Sequence, residues 1–261
     1  MIMKKNTIIL GFLAFASLTI TAQNHFRVMS LNIDRAQENT LDSIGRFIIK
    51  FSPDAIALQE LDMYPNRPGQ DKNYIAELSN VTHMYGIFGL TWKHYLGWDC
   101  GNAILSKEPF EKTENFILPQ QGKETRGLII TYFDFKGYRI CLASTHLNYE
   151  NPEIRETQIK YIARIMDKQE ADIVILCGDF NTKNTGEVLN VMTNWRDALP
   201  ANVNTFSTKP NFYQKMKVDY ILYKSILPLK ITNDSVICDA SITDHCACIV
   251  DIQLPDIIMT K

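Results

Sequence analysis

Residues 172–181 read Asp172-Ile173-Val174-Ile175-Leu176-Cys177-Gly178-Asp179-Phe180-Asn181. A short apolar run rich in β-branched side chains predicts a buried strand over Asp172–Cys177. The run then breaks off into a carboxylate and an amide. The same construction recurs along the chain. Phe26–Asn32 is β-prone and ends in Ser30-Leu31-Asn32-Ile33-Asp34, and Asp54–Gln59 runs into Glu60. Arg139–Thr145 leads into His146-Leu147-Asn148, Val218–Tyr223 carries Asp219 at its start, and Cys246–Ile252 follows Thr243-Asp244-His245. Each strand has a reason to be buried, and each delivers a carboxylate, amide or imidazole to one end.

Tyr85–Leu90, Gly101–Leu105, Phe110–Leu118, Leu128–Phe135 and Ile231–Cys238 read as further strands. Leu41, Ile44, Ile48 and Phe51 fall on one helical face, with Asn39 or Thr40 to cap it and Pro53 to end it. Ile159, Ile162, Ala163 and Met166 mark a second such face, and shorter helices are expected over Asp71–Thr82 and Thr185–Thr193. Two groups of strands with helices interleaved predict an α/β fold, a two-sheet β-sandwich flanked by helices.

Composition sets the outer limits. The chain has 261 residues, 46% of them apolar and 21% charged, which is ordinary for a globular protein and excludes a disordered or collagen-like one. Lys and Arg total 27 against 29 Asp and Glu, so no strong basic patch for nonspecific DNA binding is expected. Lys4 and Lys5 precede an apolar run, Ile8–Ile20, of 13 residues. That is shorter than the roughly 20 residues of a membrane span, and small residues follow it. Residues 1–22 therefore read as a signal peptide cut after Ala22, with one domain over 23–261 exported to the periplasm or beyond. The cut removes two lysines and no acid, moving the formal charge from −2 to −4. No later segment is long and apolar enough to span a bilayer, so a soluble mature protein is expected.

Export permits disulfides, and the chain holds Cys100, Cys141, Cys177, Cys238, Cys246 and Cys248. A chain this long builds its core without staples, and most of the six read as buried thiols. His245, Cys246 and Cys248 lack the second ligand pair of a zinc site.

Taken together, the polar strand ends supply oxygen ligands and few soft ones, a donor set that favours a hard cation such as Mg²⁺ or Mn²⁺. Histidines among them supply proton chemistry or charge stabilisation. The combination suggests attack of metal- and base-activated water on phosphorus.

Leu31-Asn32-Ile33-Asp34, Leu58-Gln59-Glu60, Gly101-Asn102-Ala103-Ile104-Leu105-Ser106, Thr145-His146-Leu147, Gly178-Asp179-Phe180-Asn181, Val218-Asp219-Tyr220 and Thr243-Asp244-His245 together resemble the endonuclease/exonuclease/phosphatase superfamily, whose fold is deoxyribonuclease-I-like. The resemblance covers almost all of the chain after residue 22, in the family's order. It implies a four-layer α/β/β/α sandwich with the site at one edge. It implies metal ligation by Glu60 with Asn32, Asp34 and Asp244, Asp34 matching a branch similar to apurinic endonucleases. It implies catalytic roles for Asp179, His245, Asn181, His146 and Asp219. Asp179 would accept the proton of the attacking water, and Asp219 would orient His245. Phosphate would be held by Arg126, Asn181 and His146.

The substrate class implied is a phosphate ester, whether small molecule, lipid headgroup or nucleic acid. The acidic mature charge and the export signal favour a phosphodiesterase or phosphatase of small or lipid-linked phosphates over a nuclease. A non-catalytic binding protein on the same fold would be expected to lack one of these groups. Two polar segments, Asp62–Lys72 and Gly89–Gly101 with Trp92, Lys93, His94, Tyr95 and Trp98, are candidate substrate loops.

Overall fold

The computed structural model describes residues 24–36, 40–63, 73–93, 99–119, 124–206 and 216–256. In chain order the elements are β1 (His25–Asn32), α1 (Leu41–Phe51), β2 (Ala55–Met63), α2 (Tyr74–Thr82), β3 (Tyr85–Lys93), β4 (Asp99–Ser106), β5 (Lys112–Ile117), β6 (Gly127–Phe135) and β7 (Tyr138–His146). There follow α3 (Pro152–Met166), β8 (Ile173–Asp179), α4 (Thr185–Leu189), β9 (Arg196–Asp197), β10 (Asp219–Ser225), β11 (Lys230–Cys238) and β12 (Cys246–Gln253).

The strands form two six-stranded mixed sheets, in the orders β11-β12-β1-β2-β4-β3 and β5-β6-β7-β8-β10-β9. Their inner faces meet in one apolar layer that includes Phe26, Val28, Phe133, Ile140, Ile175, Ile221 and Val250. Outside the first sheet, Ile44 and Ile48 of α1 and Leu78 of α2 cover Met29, Ile56 and Leu105. Outside the second, Ile159, Ile162 and Met166 of α3 cover Cys141, Val174 and Leu176. The helical periodicities read from the sequence thus face the sheets. Thr40 caps α1 by accepting from the Ser43 N–H, and the helix ends at Ser52 in the left-handed conformation, just before Pro53.

Strand direction decides where the polar ends go. A helix crossover returns the chain parallel, so β1 and β2, joined by α1, run side by side in parallel. The pair β7 and β8, joined by α3, is also parallel. Asn32, Glu60, His146 and Asp179 therefore leave their strands at one edge of the sandwich. β10 runs antiparallel to β8 with Asp219 opposite Asp179, and β12 runs antiparallel to β1 and begins just after His245. Six chain segments converge there without any of them being close in sequence.

The expected loop over Gly89–Gly101 is shorter than read. β3 continues through Trp92 and Lys93, and β4 starts at Asp99, because the pairing of these strands persists past a bulge between Leu90 and Trp92. Asp62 and Met63 likewise belong to β2. His94, Tyr95, Trp98 and the rest of Asp62–Lys72 lie outside the described residues, as do residues 1–22. The two-residue β9, too short to carry a periodic signal, was not legible in the sequence.

Cys238 and Cys246, directly opposite on β11 and β12, form a disulfide. Cys100, Cys141, Cys177 and Cys248 are free and buried, as most of the six were expected to be. With Cys246 committed to the disulfide, no zinc site forms from His245, Cys246 and Cys248. Among the described residues, no helix is long and apolar enough to cross a membrane.

Candidate active site

Asn32 is the hinge of the polar edge. Its buried amide donates to Glu60 Oε1 at 3.0 Å and to Asp179 Oδ2 at 3.2 Å, which ties the first sheet to the second. Its Oδ1 accepts the backbone N–H of Asp34 at 3.0 Å and starts a tight turn there. Glu60 sits where the β2–β4 register shifts, and its backbone takes φ 55°. The bulge turns its carboxylate to the edge, while the neighbouring Gln59 points between the sheets and donates to Ser144 Oγ at 3.0 Å. A non-glycine residue in this conformation costs about 1–2 kcal/mol. Asp34, Arg35, Ala36 and Asn181 also adopt it near this edge, while Ser52, His83 and Lys136 adopt it at helix ends and a turn elsewhere.

On the second sheet, His146 touches four site residues. Its Nδ1 lies 3.1 Å from Arg126 Nη1 and 3.9 Å from Glu60 Oε1. Its Nε2 lies 2.8 Å from Asn181 Nδ2 and 3.4 Å from Asp179 Oδ2. Burial, then the positive charge of Arg126, drives its pKa well below the usual histidine value, which favours the neutral ring. Asn181 also donates to Leu147 O at 2.9 Å, and its backbone N–H donates to Asp179 Oδ1 at 2.8 Å.

The shift of His245 runs the opposite way. Burial alone would lower its pKa, but Asp219, by charge and by a 2.9 Å hydrogen bond to Nδ1, outweighs it, with Asp179 and Asp244 adding. The imidazolium is held up to about 10. Its Nε2 faces Asp179 Oδ2 at 3.6 Å, and the Phe206 ring lies 4.7 Å from its ring. Asp179 is pushed up from the usual carboxylate range by burial, with Asp219 and Glu60 adding to the rise and His245 opposing it. Asp219 is held from behind, its backbone N–H donating to Thr205 Oγ1 at 3.0 Å.

Of the residues read from the sequence, Asn32, Glu60, Arg126, His146, Asp179, Asn181, Asp219 and His245 thus form one connected set. Asp34 joins it through its backbone N–H to Asn32. Asp244 is half-buried beside His245 and contributes charge to it, with no hydrogen bond into the Glu60 side of the set. The sequence reading missed Arg35, Glu124, Thr205 and Phe206. Arg35 and Glu124 stand directly beside Asp34 and in front of Thr125-Arg126, and that adjacency was the one available signal.

Ligand atoms of Asp179, Asp219 and His245 lie within 4.8 Å of one another, a grouping that could hold a metal ion. His245 Nδ1 is already committed to Asp219, and a cationic ring repels a cation. Glu60 offers a carboxylate at the mouth of the same site, with the buried Asn32 amide behind it, and carboxylate and amide oxygens are the donor chemistry that suits a hard divalent ion. An open cavity of about 490 Å³ borders the set, lined among others by Asn181, His245, Phe206, Tyr149 and Lys183.

A two-sheet sandwich whose parallel strand ends gather acids, amides and imidazoles at one edge is the architecture of the deoxyribonuclease-I-like enzymes. A model of the endonuclease/exonuclease/phosphatase family matches residues 29–245, and the chain belongs to that family. Family members are generally hydrolytic on phosphoester bonds. No curated protein matches the chain.

Solved structures do match. An endonuclease/exonuclease/phosphatase from Beutenbergia cavernae has a TM-score of 0.73 at 21% identity, covering 88% of this chain and 72% of its own. A mannosyl-6-phosphatase from Bacteroides thetaiotaomicron gives 0.68 at 15% identity over 88% and 100% of the two chains. D. rerio TDP2 complexed with a single-strand DNA product gives 0.70 at 20% over 88% and 99%. At these identities the likeness shows the fold.

Proposed function

We propose that this chain is an exported, divalent-metal-dependent phosphoester hydrolase, a phosphodiesterase or phosphatase of small or lipid-linked phosphates, using Mg²⁺ or Mn²⁺. The observation that carries the reading is the continuous path Glu60–Asn32–Asp179–His245–Asp219, which puts oxygen ligands, a buried carboxyl and an oriented imidazolium around one space.

Glu60 and Asn32, with Asp34 and Asp244 nearby, would hold the metal, which supplies Lewis-acid polarisation of a phosphoryl oxygen. The chain's own groups do the rest. Asp179 in its ionised form takes a proton from water, and the Asn181 amide sits beside it to orient that water. His245 presents Nε2–H to the phosphoryl oxygens and stabilises the charge that develops there, with Asp219 fixing the ring. Arg126 and His146 hold the phosphate. A general base alone contributes about 10²–10⁴-fold. Phosphate ester hydrolysis calls for accelerations far beyond that, so fixed cationic donors are a requirement of the chemistry. The 490 Å³ cavity beside His245 has room for the substrate's organic part.

The signal-peptide reading of residues 1–22 and the Cys238–Cys246 disulfide both support export. The test is a panel of purified protein with Mg²⁺ against inositol phosphates, sphingomyelin, a chromogenic phosphodiester, plasmid DNA and RNA, with chelator and His245→Ala controls. Metal-dependent turnover of a small or lipid phosphate, lost in His245→Ala, is the expected result. DNA nicking with the same dependence would replace this reading by a nuclease. Absence of any metal-dependent turnover would leave a binding protein. Glu60→Gln should weaken Mn²⁺ binding at least about tenfold in calorimetry, as expected when a charged ligand is removed.

A further inference from the structure

Among the described residues, Arg35 is held only by two long ion pairs. Its Nε is buried and has no hydrogen-bond partner, and its two carboxylate neighbours stand off at 3.6 Å (Glu60 Oε2) and 3.8 Å (Glu124 Oε1). Elsewhere in the same chain a committed arginine looks different: Arg27 grips Asp251 with two bonds of 2.6 and 2.8 Å. Arg35 is nevertheless placed with care. It is the middle residue of three in succession, Asp34, Arg35 and Ala36, with φ of 45°, 56° and 54°. That turn begins at Asn32, the same amide that joins Glu60 to Asp179.

Across from it, Arg126 is anchored to Glu124 at 2.8 Å and to His146, yet its Nε is also buried without a partner. Arg35 and Arg126 line one narrow polar recess together with Glu60, Trp92 and His146. The recess measures about 10 Å³, room for roughly one oxygen-sized group. Two arginine side chains therefore line, with Glu60 and Glu124, a space that takes an atom and excludes a chain.

We propose that Arg35 is a second phosphate-gripping guanidinium, opposed to Arg126, and that the pair selects phosphomonoesters. The inference rests on the hydrolase reading and narrows it. A terminal phosphate has three non-bridging oxygens and up to two negative charges; a diester has two oxygens and one charge. A site with one arginine and an imidazolium suffices for the diester. A further arginine lining a one-atom recess is matched by a third free oxygen, and the second ester group of a diester is too large for that space. Glu60 and Glu124 hold the guanidinium in position without consuming its donors.

The test compares two esters with the same leaving group, para-nitrophenyl phosphate and bis(para-nitrophenyl) phosphate, at saturating Mg²⁺. Inorganic phosphate binding is measured by calorimetry on the same protein. Arg35→Gln is expected to raise KM for the monoester about tenfold or more with little change in kcat, as loss of a charge-assisted contact shared by ground and transition states does. Inorganic phosphate affinity should fall by a similar factor, kcat/KM for the diester about threefold or less, and Arg35→Lys should recover part of the loss. Equal losses for both esters, or unchanged phosphate affinity, would overturn the proposal. So would an Mn²⁺ affinity that tightens in Arg35→Gln while phosphate binding stays as it was, since Arg35 would then be a counter-ion of Glu60. If the wild type hydrolyses neither ester, the hydrolase reading fails, and the phosphate titration still decides the role of Arg35.

Discussion

His245 Nδ1 and Asp219 Oδ2 lie 2.9 Å apart, both buried, although 26 residues separate them in the chain. The bond fixes which way the imidazole faces and keeps it protonated. Asp219→Asn keeps the shape and removes the charge. The expected result is a kcat loss of about 10²–10⁴-fold with KM little changed, by analogy with other buried carboxylate–histidine pairs. NMR titration of His245 should show its pKa lowered in the variant. A His245 pKa that stays where it was would show that Asp219 is not what holds it.

Stability of the metal-free protein should fall as pH rises. The folded pKa of His245 is raised from 6.5 to about 10, so its contribution is complete below 6.5 and is lost as pH climbs to about 10. Asp179 is raised from 3.8 to about 7, so the folded state also binds the extra proton between those values, and stability again declines with pH. Each shift corresponds to a few kcal/mol at about 1.4 kcal/mol per unit. Thermal melts in chelator from pH 5 to 10 (the range about which both groups titrate) check the slope, and His245→Gln should flatten its alkaline half.

The Cys238–Cys246 disulfide closes the segment that carries Asp244 and His245, with a sequence separation of 8. Cys238 is exposed, so a dithiol reductant can reach the bond. Replacing both cysteines by serine should cost about 2–3 kcal/mol in denaturant titrations. It should also lower kcat, because the hairpin end that sets His245 gains freedom. Turnover and midpoint that both ignore dithiothreitol would contradict this.

Gly178 lies between Cys177 and Asp179 on β8, with φ 154°. A Cβ there would sit 2.0 Å from the carbonyl oxygen of Thr145 on the neighbouring strand. Backbone cannot move aside as a side chain can, so Gly178→Ala should be destabilising by about 2–4 kcal/mol or more. Activity should fall with it, since β7 and β8 carry His146 and Asp179 to the same edge. An unfolding midpoint equal to wild type would contradict the close approach.

The strands and helices were legible because burial imposes period. Ile44, Ile48 and Leu41 had to share a face to cover a sheet, and Ile173–Cys177 had to be extended to be buried on both sides. The residues of the site were legible for a related reason: Asn32, Glu60, His146 and Asp179 stand where apolar runs stop, and a polar group at the end of a buried strand must reach an edge.

What the sequence by itself determined is therefore the inventory: which segments are buried, in which conformation, and which polar groups they carry at their ends. Tertiary structure decided who meets whom. The Asn32 bond to both Glu60 and Asp179, the opposite pKa shifts of His146 and His245, the pairing of Cys238 with Cys246, and the long ion pairs of Arg35 all depend on distances between chain segments far apart in sequence. Composition and periodicity are set one residue and its near neighbours at a time. Hydrogen bonds and pKa shifts fall off within a few ångströms, and only the packed sandwich brings those groups that close.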